Sequence, residues 1–308
     1  MKVLVTGGCG FIGSHVVDKL LDSGHEPIVI HRPTCNSRNL KDKKDVKLYD
    51  CDVRDISKIG HIIKDVDSIV HMAALINVDE SIESPLQYYD INVKGMLSLL
   101  ELVRKHKKRL IYFSTCEVYG HIPEGKANEG HQTNPRSPYA ASKLAAEKLG
   151  MVYYYTHKVP ITVIRNFNCF GPRQSATKYG AVIPKFIKTV LNDEPPTIFG
   201  DGLQTRDYVY VTDTAEGIKN VVERRDLDGE IINFATGVDY SVRDIAKKII
   251  KISGKDMEPK FIDARAGELK RSVGDSSKAL KLLGWKPKVD FDEGLKRTIE
   301  WFRTQDQV

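Results

Sequence analysis

The sequence predicts an α/β fold, a doubly wound parallel sheet with helices on both faces, joined to a smaller C-terminal α/β region. Short apolar runs alternate with longer amphipathic runs through the first half of the 308 residues. This alternation favours a parallel sheet, because each crossover helix carries the chain back to start another strand in the same direction. A glycine-rich turn after the first run, and glycines and prolines that punctuate shorter elements after Asn166, are the two other observations behind the prediction.

Run length and periodicity predict the individual elements. The predicted strands are Lys2–Thr6, Pro27–His31, Val46–Asp50, Ser68–His71, Leu110–Ser114 and Ile161–Asn166, and the predicted helices are Gly13–Ser23, Pro85–His106 and Pro138–Thr156. A later strand, Ile231–Ala235, is expected to rejoin the sheet. We therefore predict a first domain of residues 1–168, rejoined by 213–236, and a second region of 169–212 and 237–308.

Composition excludes several classes of protein. The hydrophobic share is 41%, the charged share 29% and the net charge +6, with no cluster of basic and aromatic residues typical of a nucleic-acid surface. The five cysteines lie far apart, so neither a disulfide framework nor a metal site is expected. Neither a signal peptide nor an apolar run of membrane-spanning length is present, so we expect no membrane segment and a cytoplasmic location.

The glycine-rich turn predicts a dinucleotide site and so a Rossmann-type domain. Gly7, Gly10 and Gly13, with Phe11 and Ile12 between them, follow the first strand and open the first helix. Glycines there allow a tight turn and close backbone approach, and the helix N-terminus faces the pyrophosphate.

Further cofactor contacts are expected at the ends of the next strands. The second strand commonly ends in an acidic residue that binds the adenosine ribose, whereas this chain carries His31 and Arg32, so NAD and NADP both stay open. The other expected contacts are Asp52 and Val53 at the adenine, the Ala73–Ala74 turn beneath the phosphates, and Asn92 as a backbone brace.

Tyr139 and Lys143 predict acid/base chemistry. Their spacing places both side chains on one helix face, and an ammonium beside a phenol is expected to lower the pKa of the tyrosine. Thr115, Cys116 and Glu117 add a hydroxyl, a thiol and a carboxylate just after a predicted strand. A structural role for Glu117, bonded to backbone beneath the loop, is the alternative.

These motifs together resemble the extended short-chain dehydrogenase/reductase family, the NAD(P)-dependent nucleotide-sugar epimerases and dehydratases. The matching motifs are Gly7–Gly13, Asp52–Asp55, His71–Ala74, Asn92–Gly95, Ser114–Gly120, Pro138–Lys143, Arg165–Asn168, Gly171–Gln174, Gly200–Gly202, Arg206–Asp213 and Arg265–Lys278. They cover almost the whole chain.

The resemblance implies a role for each site residue. Tyr139 takes a proton from a sugar hydroxyl while the sugar carbon passes hydride to a tightly bound NAD or NADP, which is regenerated in each turnover. Lys143 holds the nicotinamide ribose, and Thr115 bonds the same sugar hydroxyl. The residues implied in binding the nucleotide sugar, a UDP-sugar first of all, are Asn168, Val182, Arg206, Arg265 and Glu268. A homodimer formed through a four-helix bundle is also expected.

The triplet Thr115-Cys116-Glu117 favours dehydration. In the family's 4,6-dehydratases a glutamate at this position removes the C5 proton, and Thr-Cys-Glu is similar to tunicamycin-type UDP-N-acetylglucosamine 5,6-dehydratases. We therefore predict a nucleotide-sugar dehydratase, with 4,6- or 5,6-elimination. The alternatives are a UDP-hexose 4-epimerase and, less favoured, a nucleotide-glucuronate decarboxylase.

Overall fold

The structure, a computed structural model, describes residues 1–32, 37–176, 181–264 and 269–305. Its elements through the sixth strand are β1 (Lys2–Thr6), α1 (Phe11–Asp22), β2 (Glu26–His31), β3 (Lys47–Asp50), α2 (Ile56–Ile63), β4 (Ser68–His71), α3 (Val78–Glu83), α4 (Pro85–Tyr88), α5 (Gly95–His106), β5 (Arg109–Thr115), α6 (Pro138–His157) and β6 (Ile161–Asn166). The later elements are β7 (Asn168–Phe170), α7 (Val182–Leu191), β8 (Thr197–Phe199), β9 (Thr205–Tyr210), α8 (Val211–Glu223), β10 (Ile231–Phe234), β11 (Asp239–Ser241), α9 (Val242–Ser253), β12 (Lys260–Ile262), β13 (Arg271–Ser272), α10 (Ser277–Leu283) and α11 (Phe291–Gln305).

The chain divides into two compact units. The first comprises Met1–Val118, Pro135–Asn166 and Ala215–Ile232, and the second comprises Tyr119–Asn134, Phe167–Thr214 and Asn233–Val308. Across the described ranges, no helix combines the length and the apolar character needed to cross a membrane.

The main sheet has seven strands in the order β10-β6-β5-β4-β1-β2-β3. Strands β1 to β6 pair in parallel, which confirms the predicted doubly wound sheet. The chain runs outward in opposite directions on either side of β1, so the topological switch point lies between β1 and β4. In open α/β sheets, ligands bind at the carboxyl ends of the strands at such a point.

Apolar burial on this sheet explains the regular strand pattern. Strand β4 is buried along its whole length, and Leu4, Ile69 and Leu110 pack with helices α2, α5 and α6 in one core cluster. Strands that are buried on both faces have continuous apolar sequences. The bounds of β1, β4 and β6 could therefore be predicted from the sequence, and they agree with the structure.

The predicted continuous helix Pro85–His106 is wrong in its middle. Residues Tyr89–Lys94 are π-helical and separate α4 from α5. A π segment inserts extra backbone into a helix and rotates the following side chains, and such segments often lie at functional sites. Here it places Asn92, only 2% exposed, inside the protein.

The second unit is built on smaller sheets. Strand β9 pairs in parallel with β7 and β13 and antiparallel with β11, and β8 pairs with β12. Phe170, Ile187, Tyr208, Ile249 and Phe291 belong to its separate apolar core.

A buried arginine fastens α8 to the main sheet. Arg109, 7% exposed, donates to the carbonyls of Val221 and Val222 at 2.9 and 3.3 Å, to Thr162 Oγ1 at 3.0 Å and to Asp228 Oδ1 at 3.0 Å. The two carbonyls belong to the last turn of α8, where intrahelical donors are missing. Arg109 therefore provides a donor to the Val222 carbonyl and a second donor to the Val221 carbonyl, which also accepts from Arg224 N at 3.2 Å.

Arg109→Met should lower the free energy of unfolding by about 3 kcal/mol, because it leaves a carboxylate and buried carbonyls without their donor. Urea unfolding measures the loss. Arg224→Met removes an exposed pair with Asp226 and should change stability by less than about 1 kcal/mol. Equal losses in the two variants would contradict this account of Arg109.

Candidate active site

The glycine-rich turn forms a tight cradle at the carboxyl end of β1. Gly7 has a φ of +72°, and a Cβ added to it would lie 2.9 Å from the backbone nitrogen of Ala73. A Cβ on Gly13 would lie 2.3 Å from the carbonyl oxygen of Gly7. Gly10 is the N-cap of α1 and has no side chain to cap the first-turn N–H groups. The turn therefore fits the pyrophosphate of a dinucleotide. Phe11 and Ile12, both half-buried, form the first turn of that helix.

The end of β2 carries no carboxylate, as the sequence predicted. His31 Nδ1 donates to the carbonyl of Arg32 at 3.1 Å, and its Nε2 lies 3.4 Å from Asp50 Oδ1. Arg32 is exposed. This environment suits either an unmodified ribose or a ribose phosphate, so the geometry leaves the choice between NAD and NADP open.

Asp52 is engaged within the protein. Arg54 donates to its Oδ1 from Nε at 2.8 Å and to its Oδ2 from Nη2 at 3.0 Å. These hydrogen bonds, together with the charge of the nearby Arg32, lower the pKa of Asp52. The neighbouring Val53 is buried. A contact of Asp52 and Val53 with adenine stays a prediction.

Thr6 and His71 hold the turn that follows β4. The Thr6 hydroxyl accepts from the amides of Met72 and Ala73 at 3.1 and 3.0 Å, and it lies 2.8 Å from His71 Nδ1. Burial lowers the pKa of His71 to about 3, so its ring is neutral and Nδ1 accepts the threonine proton. This pairing holds the turn so that the backbone of Ala73, which Ala74 follows, lies closely against Gly7.

Lys143 is a buried residue of α6, four residues after Tyr139. Its Nζ donates to the carbonyl of Phe113 at 2.6 Å and lies 4.4 Å from the centre of the Tyr112 ring. The residue is 4% exposed. Burial lowers the pKa of Lys143 to about 7, and the carboxylate of Glu147 opposes that effect.

The expected lowering of the Tyr139 pKa is contradicted by the structure. Burial raises the pKa of Tyr139 well above its usual range, although a hydrogen bond with Thr115 opposes the change. The reason is desolvation, which disfavours a phenolate more strongly than its neighbours favour it.

The triplet Thr115–Glu117, at the end of β5, lies near the Tyr139 phenol. Thr115 ends the strand and Cys116–Tyr119 forms a short 3₁₀ turn. The amide of Glu117 donates to Thr115 Oγ1 at 3.2 Å, and the charge of Glu117 acts to raise the pKa of Tyr139. Cys116 is 2% exposed, whereas Glu117 is half-buried. Thr115, Glu117, Tyr139 and Lys143 are thus brought together in the first unit, with the Cys116 thiol beside them.

Asn92 braces the site, as predicted. Its Oδ1 accepts from Leu75 N at 2.8 Å, and its Nδ2 donates to Leu75 O at 3.0 Å and to Ser142 Oγ at 2.9 Å. The Ser142 hydroxyl then donates to the carbonyl of Tyr139 at 2.7 Å. The π-helical segment is therefore tied to the helix that carries Tyr139.

Tyr88 is a site residue that sequence reasoning missed. It is fully buried, its ring meets Tyr139 edge-on at 6.5 Å, and its hydroxyl donates to Glu80 at 2.9 Å and accepts from Asn77 N at 3.0 Å. Its position four residues before Asn92 was the available signal, but a regular helix would not have indicated which of Tyr88 and Tyr89 lies inside.

The predicted nucleotide-sugar residues lie in the second unit. Asn168 Nδ2 donates to the carbonyl of Asp207 at 3.1 Å, and Arg206 Nη1 donates to the carbonyl of Thr205 at 2.9 Å. They stand on the paired strands β7 and β9. Val182 begins α7. Arg265 and Glu268 lie outside the described residues.

A family model and several known proteins match this chain along most of its length. The model of the family described as GDP-mannose 4,6 dehydratase matches residues 4–298. A Methanocaldococcus jannaschii protein provisionally named a UDP-glucose 4-epimerase is 37% identical over 99% of this chain and 100% of its own.

Solved structures of similar proteins include both reaction types. A UDP-glucose 4-epimerase from Thermotoga maritima, solved with UDP-glucose, has a TM-score of 0.94 at 34% identity and covers 99% of each chain. The dTDP-glucose 4,6-dehydratase DesIV from Streptomyces venezuelae, solved with NAD, has a TM-score of 0.94 at 32% identity, covering 100% of this chain and 98% of its own.

Gly13→Ala should weaken the binding of NAD and of NADP at least about tenfold, because the added methyl group displaces the Gly7 carbonyl and opens the cradle. Titration calorimetry with each dinucleotide measures the change. Gly60→Ala is the matched control, since its Cβ would meet only Leu102 at an ordinary 3.5 Å. Unchanged dinucleotide affinity in Gly13→Ala would rule out this placement of the pyrophosphate.

Stability should depend on pH through Lys143. The pKa of Lys143 is about 7 in the folded state, against about 10.4 in an unfolded chain. Between these values the unfolded state binds more protons, so the free energy of unfolding rises with pH, by up to about 1.4 kcal/mol per pH unit; below pH 7 the penalty of the buried charge is fully present.

Urea unfolding of the wild type and of Lys143→Met from pH 6 to pH 10 isolates this effect. The wild type should gain stability relative to Lys143→Met as the pH rises above 7. A stability difference that stays constant over this range would show that Lys143 keeps its proton in the folded protein.

Proposed function

Because this chain belongs to the extended short-chain dehydrogenase/reductase family of nucleotide-sugar epimerases and dehydratases, we propose that it is an NAD(P)-dependent nucleotide-sugar dehydratase. The observation that carries the proposal is the carboxylate of Glu117 beside the Thr115–Tyr139 pair. An elimination needs a base in addition to the residues that serve hydride transfer, and Glu117 supplies one.

The first step requires a proton acceptor and a hydride acceptor. A bound nicotinamide supplies reversible hydride acceptance from the sugar C4, so no cofactor is consumed overall. Tyr139 accepts the proton of the C4 hydroxyl, and Thr115 holds that hydroxyl by a hydrogen bond. A charged Lys143 binds the cofactor ribose and favours the phenolate electrostatically.

Elimination follows from the chemistry of the resulting ketone. A C4 carbonyl acidifies the C5 hydrogen, and Glu117 removes it as the C6 hydroxyl leaves with a proton. In 4,6-dehydratases the middle residue of the triplet is often acidic, whereas here it is Cys116. A thiol is a weaker acid than a carboxylic acid but can still donate a proton. Cys116 is the proposed donor to the leaving group.

A UDP-hexose 4-epimerase is the second candidate, favoured by the names of similar proteins. An epimerase needs no base at C5, since it rotates the keto-sugar and returns hydride to the opposite face. Decarboxylation of a nucleotide glucuronate is less favoured. All three reactions would use Tyr139, Lys143 and Thr115 in the same way, so Glu117 distinguishes dehydration from epimerisation.

Substrate binding and assembly are parts of the same proposal. Asn168 and Arg206, with Arg265, are proposed to bind the diphosphate of a UDP-sugar, for which guanidinium groups offer paired donors. Val182 and Glu268 complete the proposed set. Exposed Leu97, Val152 and Tyr155 on α5 and α6 provide apolar surface for a proposed homodimer.

Mass spectrometry of the products tests the reaction. Incubation with UDP-N-acetylglucosamine, and with other UDP- and dTDP-hexoses, should give a product lighter by one water without net use of cofactor. A product of unchanged mass with inverted C4 would replace dehydration by epimerisation. Loss of carbon dioxide from a nucleotide glucuronate would indicate the decarboxylase.

Glu117→Gln should reduce dehydration at least about a hundredfold while sparing hydride transfer, because it removes only the C5 base. Absorbance of reduced nicotinamide after a single mixing measures hydride transfer. Glu124→Gln changes an exposed carboxylate and is the control. If Glu117→Gln and Glu124→Gln dehydrate the sugar at the wild-type rate, Glu117 is not the base.

A further inference from the structure

Helix α6 carries a second buried charge on the face that holds Tyr139 and Lys143. Glu147 is fully buried, and it lies one turn beyond Lys143 and two turns beyond Tyr139. Its Oε1 accepts from Arg165 Nη2 at 2.5 Å, and its Oε2 accepts from Arg165 Nε at 3.1 Å and from Ser114 Oγ at 3.1 Å. The carboxylate is thus bound by two nitrogens of one guanidinium and by one hydroxyl.

The partners of Glu147 stand beside the catalytic triplet. Ser114 immediately precedes Thr115 on β5, and its register partner on β6 is Arg165. Arg165 and Ser114 are each 2% exposed. One carboxylate therefore joins the helix of Tyr139 and Lys143 to the strand that ends at Thr115 and to the next strand of the sheet.

The charges of the groups around Lys143 indicate what the buried Glu147 does there. The titratable groups that interact with Lys143 are Glu147 from its own helix, Tyr112 from β5 and His71 from β4, and Tyr139 stands one turn before it on the helix. Both phenols are neutral near pH 7 because burial raises their pKa, and the pKa of about 3 leaves His71 neutral. Glu147 is therefore the one anion in this set of described groups.

We propose that Glu147, fixed by Arg165 and Ser114, is a positioning residue whose negative charge favours the ammonium form of Lys143 and so sets the pH range of hydride transfer. The proposal rests on the proposed function for its kinetic consequence, but the charge of Lys143 is measurable without any substrate. A buried ion pair alone is weak evidence of stabilisation, since apolar residues of similar volume often replace such pairs without loss. Stability alone therefore does not explain why Glu147 and Arg165 are buried as a pair. The position of Glu147, one helical turn from Lys143, provides a functional reason.

NMR of protein labelled with ¹³C at lysine Cε tests the first part. The Lys143 resonance, identified by its absence in Lys143→Met, should titrate in Glu147→Gln at least about one pH unit lower than in the wild type. Glu101→Gln is the matched control: it neutralises an exposed carboxylate on α5 that pairs with Arg104, and it should leave the Lys143 titration unchanged. An unchanged Lys143 titration in Glu147→Gln overturns the proposal.

The double variant Glu147→Leu/Arg165→Met separates charge from packing. It removes both buried charges and fills their volume with apolar groups, so it should fold even if Glu147→Gln does not. Lys143 should again titrate below its wild-type pH in this variant, because the anion is gone. A folded double variant with the wild-type Lys143 titration would show that the pair is structural only.

Kinetics test the second part. The alkaline limb of the pH–rate profile for hydride transfer to bound cofactor should move to lower pH in Glu147→Gln and in the double variant, by the same shift that NMR records. A profile that does not move while Lys143 titrates lower overturns the kinetic part. Failure of every nucleotide sugar to reduce the cofactor in the wild type would refute the proposed function, whereas the NMR result would still stand.

Discussion

The burial of Lys143 is the interaction on which the candidate site depends. An ammonium taken out of water loses its free energy of hydration. The Phe113 carbonyl, the Tyr112 ring and the charge of Glu147 offset only part of that cost. The consequence is a cation poised between its charged and neutral forms near pH 7. A residue in that condition responds strongly to any further charge placed next to it, which is a property expected of catalytic groups.

The raised pKa of Tyr139 has the same physical origin. Burial takes the phenol out of water and so disfavours its phenolate form. Neutral hydrogen bonds hold part of the pocket in shape: Asn92 to Ser142, Ser142 to the Tyr139 carbonyl, and Thr6 to His71. The ion pair of Glu147 with Arg165, together with Ser114, joins the same helix to β5 and β6.

Much of the fold could be predicted from the sequence because continuous apolar runs and a glycine-rich turn are local signals. The bounds of β1, β4 and β6 were correct, and the helix bearing Tyr139 and Lys143 ended within one residue of its predicted end. The π-helical segment at Tyr89–Lys94 could not be predicted, since its energy is recovered only through the tertiary contacts of Asn92 with Leu75 and Ser142. The predicted lowering of the Tyr139 pKa was wrong for a related reason. Spacing shows that an ammonium is near, but burial depends on the whole packed pocket.

The triplet Thr115–Glu117 is the part of the site on which the proposed dehydration depends. A C4 ketone and a base at C5 are sufficient for elimination if the C6 hydroxyl leaves with a proton, and the residue between Thr115 and Glu117 is the proposed donor. Cys116 is 2% exposed, so its thiol lies where a proton is not readily exchanged with water. In the proposed dehydration, a weak acid in such a place would deliver its proton as negative charge develops on the leaving oxygen. The proposal therefore couples proton removal by Glu117 to proton donation by Cys116 in one elimination.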